Sequence, residues 1–340
     1  MFNVNTIRTY KMDKQKLLDN FIAKWSNLPE QRSLEWFASR THSIGASEMS
    51  TLMGLNRYQD IRRLIEMHCS LVEFGDKTAV NWGNVMEQVI TNMVEIIFQC
   101  KITEMGSIPT AGSRGQRCSP DGVAIVEMLG NLIVSFEFKA PKNRLPRGKV
   151  PEYYIPQVYS CLCAVECADI GIFVDVVIRR CSIQNWTFGN TLYDKKYHRY
   201  SNFPNVVAKS ILYFCDDKKY DKPNGPINLG ECDPEELDSH LSDVAEHHKY
   251  RVHYGNVHMS SGDDISFENV IENEMPENCI AYLPVKIMRV DIIPVNKIPG
   301  YVKKYQKIID KVLAAIKVIM DAPKEQRVAV CNIECYKGNW

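Results

Sequence analysis

The chain has 340 residues, of which 41 are Lys or Arg and 41 are Asp or Glu, and 45% of its residues are apolar. This composition is typical of a globular protein and excludes a disordered, collagenous or coiled-coil chain. A formal net charge of zero argues against a nucleic-acid partner, because proteins that bind phosphate backbones usually carry an excess of basic residues. The position of the charges along the chain changes that conclusion.

No apolar run reaches the roughly 18 residues that a membrane helix needs, and the N-terminal segment lacks the apolar stretch of a signal peptide. We therefore expect an intracellular protein without a membrane partner. In a reducing compartment most of the twelve cysteines are expected to be free thiols. Their spacing contains no CxxC pair, so a zinc or iron–sulfur site is not expected.

The first predicted elements are helical. Residues 12–27 have the pattern of an amphipathic helix, and a second helix is predicted with Ser47 as its N-cap and Gly54 at its end. Apolar residues at helical spacing predict a third helix from 84 to 98. The N-terminal part of the chain is therefore expected to supply helices that cover a sheet.

The period of the apolar residues then changes. Two apolar, β-branched runs at 123–128 and 132–138 predict a β-hairpin, and a helix from 153 to 165 and a buried strand from 170 to 179 follow. A last helix is predicted from 301 to 320. This order predicts an α/β or α+β fold with a mixed central sheet flanked by helices.

The charges occur in blocks. The segment 139–149 holds five basic residues and no acid, and its part from 142 to 149 is called the basic loop below. Acids without bases fill 231–247, where seven occur, and 262–277, where six occur. These stretches also contain turn-forming residues, so a solvated surface excursion is predicted over 216–278.

Three parts of the chain are expected from these patterns. The first is an N-terminal helical segment, 1–27, and the second is a core, 28–215. The third is a C-terminal extension, 216–340, in which the acidic excursion precedes a strand and a helix that pack on the core.

A cluster of charged side chains is predicted at the end of the hairpin. Residues two apart on a strand point the same way, so Glu137 and Lys139 share one face. Counted from a turn near Gly130, Asp121 and Lys139 are equally distant. Antiparallel pairing should therefore place Asp121 opposite Glu137 and Lys139, and two carboxylates beside an ammonium suit a divalent cation such as Mg²⁺.

The alternative interpretation is a surface ion pair on a hairpin edge. Three features favour a functional site instead. Asp121 lies in a turn, Ser119-Pro120-Asp121-Gly122, and the basic loop follows the hairpin directly, where its charge could bind phosphates. Glu87 lies beside the apolar stripe of its helix, where a carboxylate is costly to bury without a partner.

These residues are part of a pattern that resembles the lambda exonuclease and YqaJ-type viral recombinase nucleases, which belong to the PD-(D/E)xK superfamily. Five motifs occur in the family's order between residues 28 and 181. They are Trp36-x-x-x-Arg40 continuing to Ile44-Gly45-Ala46-Ser47-Glu48, Trp82-Gly83-x-x-x-Glu87, Ser119-Pro120-Asp121-Gly122, Glu137-x-Lys139-x-Pro141, and Tyr153-Tyr154-x-Pro156-Gln157. A looser similarity in the C-terminal part extends to exonuclease-like proteins of large cytoplasmic DNA viruses, including African swine fever virus and iridoviruses.

The resemblance implies a restriction-endonuclease-like core and a set of residue roles. Catalytic Mg²⁺, or Mn²⁺ as a substitute, would be bound by Asp121, Glu137, Glu87 and the main-chain carbonyl of Phe138. Lys139 would orient or activate the attacking water, with help from Gln157.

The resemblance also implies residues that contact DNA. The 5′-terminal phosphate would be held by Arg40, Ser47 and Ser119, and a Ser47 at a helix N-terminus suits an anion on physical grounds as well. The DNA backbone would meet the four cations of the basic loop, which are Lys142, Arg144, Arg147 and Lys149.

The function that the resemblance implies is a 5′-to-3′ exonuclease acting on linear double-stranded DNA ends in viral recombination, repair or replication, with a single-strand annealing protein as a partner. An endonuclease or RNase of the same fold and a non-catalytic DNA-binding protein are the alternatives. The C-terminal third is longer than in the phage enzymes, which argues against their ring-shaped trimer and leaves a monomer or another homo-oligomer. The host cytoplasm or a viral replication site is the expected location.

Overall fold

A computed structural model describes most of the chain. The described residues are 4–29, 35, 42–73, 75–188, 191–194, 199–202, 206–216, 225–245, 249–260 and 265–338. Two residues of the first motif, Trp36 and Arg40, lie outside them. In this described part no helix combines the length and apolarity that crossing a bilayer requires.

Ten α-helices occur among the described residues. They are α1 Val4–Lys24, α2 Met49–Leu52, α3 Ile61–His68, α4 Thr78–Phe98, α5 Ile155–Ala164, α6 Ile183–Phe188, α7 Pro234–Ala245, α8 Phe267–Glu274, α9 Gln306–Asp321 and α10 Arg327–Gly338. Pro156 lies in the first turn of α5, as expected for a residue without a backbone N–H.

Thirteen strands alternate with these helices in the same part of the chain. They are β1 Ile44–Gly45, β2 Ile108–Pro109, β3 Gln116–Cys118, β4 Gly122–Val126, β5 Leu132–Lys139, β6 Ile170–Arg180, β7 Thr191–Asp194, β8 Arg199–Asn202, β9 Ala208–Cys215, β10 Ile227–Asn228, β11 Arg251–Tyr254, β12 His258–Met259 and β13 Cys279–Asn296.

The main sheet has eight strands in the order β11-β9-β13-β6-β5-β4, with β10 paired to β13 and β12 paired to β9. Strand β5 runs parallel to β6 and antiparallel to β4. The sheet is therefore mixed, and the predicted α/β architecture is confirmed. Strands β1, β3 and β2 form a small second sheet beside it, and β7 pairs with β8.

Helices cover both faces of the main sheet. On β5, Phe136 points into the core shared with α4 and α7, whereas Ile133 points into the core shared with α1 and α5. Residues two apart share a face, so Glu137 lies on the face of α5. A sheet covered on both sides is built from continuous apolar runs, and β6 shows this pattern because most of its residues are buried.

One prediction about local structure was wrong. The helix expected to start at Ser47 is a 3₁₀ turn, Ala46–Glu48, followed by the short α2. Its N-cap is Gly45, whose N–H donates to the Glu48 carboxylate at 2.6 Å. Gly54 does end this segment, with a φ of +68° that favours glycine.

The acidic stretch 216–278 is more than a surface excursion. Its described parts supply β10, β11 and β12 to the main sheet and α7 to the face covered by α4. Strand β13, from the expected C-terminal extension, lies at the centre of the sheet between β6 and β9. The main sheet therefore contains strands from both sides of the boundary expected at residue 215. The apolar residues that lie between the acids are buried in its core.

The cysteines also differ in one respect from expectation. Ten are free thiols, as most were predicted to be. Cys118 and Cys161, however, form a disulfide that joins β3 to α5, with Cα atoms 5.5 Å apart. Their separation of 43 residues carries no sequence signal, since only the packing of β3 against α5 brings the two side chains together.

Candidate active site

The end of the β4–β5 hairpin brings three predicted residues together. Gly122 pairs with Phe136, so the preceding Asp121 comes opposite Glu137. The Phe138 N–H donates to Asp121 Oδ2 at 2.6 Å, which fixes the carboxylate of Asp121 against the end of β5. The strand alternation and the position of the turn predicted this juxtaposition, and the structure contains it.

Glu137 is the centre of the group. Only 2% of its surface is exposed, and its Oε1 accepts hydrogen bonds from Lys139 Nζ and from Gln157 Nε2 of α5. Its Oε2 is buried and has no hydrogen-bond partner among the described residues. Asp121, Glu137, Lys139 and Gln157 are called the carboxylate cluster below.

The electrostatics of the cluster follow from burial and from like charge. Burial raises the pKa of Glu137, the negative charge of Asp121 raises it further, and the neighbouring Lys139 opposes both. Burial lowers the pKa of Lys139, but the charges of Glu137 and Asp121 outweigh burial and raise it above its ordinary value. An ammonium beside two carboxylates is suited to orienting water and to stabilising negative charge.

Glu87 on α4 also faces this region. It is close enough to Glu137 for its charge to raise the pKa of Glu137, although its contribution is the smallest of those acting there. A cleft of about 390 Å³ opens beside it. Residues from the end of α1, from α4 and from the segment before β2 line this cleft, and they include Trp25, Leu28, Asn84, Glu87, Gln88 and Glu104.

The donor atoms of the cluster fit a hard divalent cation. Within the described ranges, no three His, Cys, Asp or Glu side chains are already arranged to bind one metal ion. The buried, unpartnered Oε2 of Glu137 nevertheless requires a positively charged or hydrogen-bonding partner. Carboxylate and carbonyl oxygens are the ligands of Mg²⁺, whose remaining positions are filled by water and phosphate oxygens.

The predicted 5′-phosphate residues have different environments. Ser119 Oγ is buried without a partner among the described residues, two positions before Asp121. Ser47 is exposed in the 3₁₀ turn and is not a helix N-cap, so the argument from a helix N-terminus does not apply to it. Arg40 lies outside the described residues.

The basic loop divides into paired and exposed cations. Arg144 forms two hydrogen bonds to Asp175, at 2.6 and 2.7 Å, and Asp175 is fully buried in β6. Lys142 forms an ion pair with Asp238 of α7 at 2.6 Å. Arg147 and Lys149 are exposed. The four residues are therefore unequal as candidate contacts to DNA.

Two features of the site were missed by the sequence interpretation. Tyr154 places its ring 5.4 Å from Lys139 Nζ and 5.8 Å from the Arg144 guanidinium carbon, so both cations lie on one aromatic ring. The second is the Arg144–Asp175 pair. An aspartate in the middle of the apolar run Ile170–Arg180 is the signal that could have indicated it, because a buried carboxylate needs a cation.

Three comparisons with known proteins bear on the chain. Residues 35–167 match the family model described as the YqaJ-like viral recombinase domain. A protein of African swine fever virus is 25% identical over 332 residues, which cover 90% of this chain and 91% of that protein. An uncharacterized protein of Acanthamoeba polyphaga mimivirus is 26% identical over 150 residues, which cover 40% of this chain and 27% of that protein.

Among solved structures, this chain resembles an alkaline exonuclease from Laribacter hongkongensis. One structure of that protein is 23% identical with a TM-score of 0.34, over 42% of this chain and 73% of the other. A second, in complex with dAMP, is 20% identical with a TM-score of 0.34, over 49% and 79% of the two chains. The five sequence motifs all lie inside the segment matched by the family model of the YqaJ-like viral recombinase domain.

Proposed function

We propose that this protein is a metal-dependent nuclease that removes nucleotides in the 5′-to-3′ direction from one strand of linear double-stranded DNA with 5′-phosphorylated ends. The observation that carries the proposal is the carboxylate cluster, in which Glu137 lies buried beside Asp121 and Lys139. One oxygen of Glu137 has no partner among the residues that the structure describes. The match of residues 35–167 to the model of the YqaJ-like viral recombinase domain supports the same assignment.

Mg²⁺, with Mn²⁺ as a substitute, is the proposed cofactor. Asp121, Glu137, the Phe138 carbonyl and Glu87 are the groups that would hold it. When bound, such an ion polarises a phosphoryl oxygen and lowers the pKa of a bound water. The high proportion of oxygen donors and the unpartnered Oε2 of Glu137 support this choice.

Lys139 and Gln157 are proposed to position the reacting groups. The ammonium of Lys139 lies beside Glu137, where it would orient or activate the attacking water and stabilise the charge that develops on the phosphate oxygens. Gln157 donates to the same Glu137 oxygen as Lys139. It therefore fixes the carboxylate and leaves Oε2 pointing away from both donors.

The end of the DNA strand is proposed to be recognised by Ser119, Ser47 and Arg40. The buried hydroxyl of Ser119 supports this role, since a phosphate oxygen would satisfy it. A pocket for the terminal phosphate gives directionality, because each cleavage presents a new 5′-phosphate to the same residues. Arg147 and Lys149 are exposed and are therefore the better candidates for contacts to the DNA backbone. Lys142 and Arg144 already form ion pairs with Asp238 and Asp175.

The proposed biological setting is the recombination, repair or replication of viral DNA. The 3′ single strand that such an enzyme leaves is the substrate of a single-strand annealing protein, which is the proposed partner. The enzyme would act as a monomer or a homo-oligomer other than a ring trimer, in the host cytoplasm or at a viral replication site.

The test is nucleotide release from a linear duplex with Mg²⁺, compared between 5′-phosphate and 5′-hydroxyl ends. We expect clearly faster release from the phosphorylated ends and no nicking of closed circular DNA. Equal rates on both ends, or rapid nicking of circles, would indicate an endonuclease instead. DNA binding without any cleavage of DNA or RNA would indicate a non-catalytic binding protein.

A further inference from the structure

The loop between α2 and α3 is held in one conformation by its own polar groups. The N–H groups of Leu55 and Asn56 donate to the Ser50 carbonyl at 2.8 and 3.2 Å, and the Asn56 side chain donates to Thr51 Oγ1 at 2.9 Å. The Tyr58 N–H donates to Asn56 Oδ1 at 3.0 Å. The loop is therefore preorganised, although it lies on the surface.

The aromatic ring of Tyr58 on this loop is exposed to solvent. Tyr58 is 93% exposed, which is unusual for a large apolar side chain on an ordered loop. The neighbouring Arg57 is also exposed and makes no hydrogen bond or ion pair with the described residues. Both border a groove of about 590 Å³ that continues to Arg62 and Arg63. An exposed ring beside an available cation is a surface suited to nucleobases and phosphates.

Packing between α2 and α5 connects this loop to the carboxylate cluster. The rings of Tyr153 and Tyr154 have centroids 4.5 Å apart, and Tyr154 lies under Lys139 Nζ. Tyr153 is half-buried, and burial together with Tyr154 raises the pKa of its hydroxyl. Helix α2, whose Ser50 and Thr51 hold the loop of Tyr58, packs against α5. The loop is therefore anchored to the helix whose Gln157 contacts Glu137.

We propose that Tyr58, flanked by Arg57, forms a stacking surface for unpaired bases of single-stranded DNA near the carboxylate cluster. This inference rests on the proposed nuclease function, and it adds the segment of substrate that the site would hold. A duplex encloses its base faces, so an exposed ring can stack only on a terminal or unpaired base. The nearby guanidinium of Arg57 complements the phosphates of that strand.

The experiment measures binding of a short fluorescent thymidine oligonucleotide by anisotropy in EDTA, where no cleavage occurs. Tyr58→Ala should weaken binding about tenfold, because stacking on one aromatic side chain contributes about 1–3 kcal/mol per base and about 1.4 kcal/mol is tenfold. Tyr58→Phe should bind within about twofold of the original protein, since it keeps the ring.

Tyr336→Ala is the matched control, because Tyr336 is 88% exposed on α10 and should leave binding unchanged. An oligonucleotide of abasic sites should bind the original protein and Tyr58→Ala equally. Unchanged binding by Tyr58→Ala, an equal loss in Tyr58→Phe, or no oligonucleotide binding by the original protein would each overturn the inference. Because EDTA removes the nuclease reaction from the measurement, loss of duplex cleavage and loss of strand binding are separate results.

Discussion

The carboxylate cluster and the basic loop are neighbours along the chain, and each contacts a buried carboxylate. The two carboxylates differ in whether all of their oxygens have partners. In the loop, Arg144 gives two hydrogen bonds to the buried Asp175, so the charges of both are satisfied within the protein. In the cluster, Glu137 is also buried but keeps one oxygen without a partner among the described residues. A buried charge that is fully paired indicates structure, whereas one that is left incomplete indicates a place for a ligand.

The partners of the charged residues separate candidates for DNA contacts from residues that are paired within the protein. By charge alone, the four cations of the basic loop were all candidates for DNA contacts. Their partners now separate Arg144, which stabilises the sheet, from Arg147 and Lys149, which are exposed. Ser119, whose buried hydroxyl has no partner in the described part of the chain, is a better candidate for a phosphate contact than Ser47, which is exposed in a short turn.

The largest expected effect is on catalysis. Lys139→Ala should lower nucleotide release from duplex DNA about a hundred- to ten-thousandfold, because the role proposed for the ammonium next to Glu137 is to position water and stabilise developing charge. DNA binding should change little. Lys101→Ala, which removes an exposed lysine paired with Glu95 on the surface, is the control and should keep full activity. Retained activity in Lys139→Ala would remove this residue from the mechanism.

The next effect is on stability. Arg144→Ala should reduce the free energy of unfolding by about 3–5 kcal/mol, because it leaves the fully buried Asp175 without its cation. Arg147→Ala, three residues away in the same loop and exposed, should change it by less than about 0.5 kcal/mol. Denaturant unfolding measures both. If the two variants are equally stable, the distinction between paired and exposed cations of the loop is wrong.

The smallest effect is expected at Lys142. Its ion pair with Asp238 joins the basic loop to α7, and both side chains are about a quarter exposed. Water screens such pairs, so Lys142→Ala should cost about 0.2–1 kcal/mol, and the cost should shrink as salt is added. Thermal unfolding at low and high salt tests this. A loss as large as that of Arg144→Ala would mean that the pair is structural like its neighbour.

Much of the site could be predicted because it depends on local pattern. Strand alternation and the position of one turn were sufficient to place Asp121 opposite Glu137, since both quantities are set by short stretches of chain. Gln157 needed the family resemblance, because nothing local indicates that α5 packs its side chain against β5. The fold class followed from the order of helices and strands.

The rest depended on contacts between distant parts of the chain. The partner of Arg144 is 31 residues away, and Cys118 and Cys161 are 43 apart. The central place of β13 could not be inferred either, since an acidic stretch precedes it and local charge does not report which apolar residues pair in a sheet. Ser47 was misplaced because Glu48 caps the backbone of Gly45, so the turn starts earlier than the serine suggests.

The most direct test of the account is Mn²⁺ binding to the DNA-free protein, followed by the loss of the free-ion signal in electron paramagnetic resonance. The original protein should bind Mn²⁺, and Glu137→Gln should weaken binding by at least about tenfold, because even groups that only support metal ligands cost about 10- to 100-fold when removed. The exposed Glu325→Gln should bind like the original. Equal affinity in Glu137→Gln and the original protein would contradict the claim that the unpartnered oxygen of Glu137 marks the metal site.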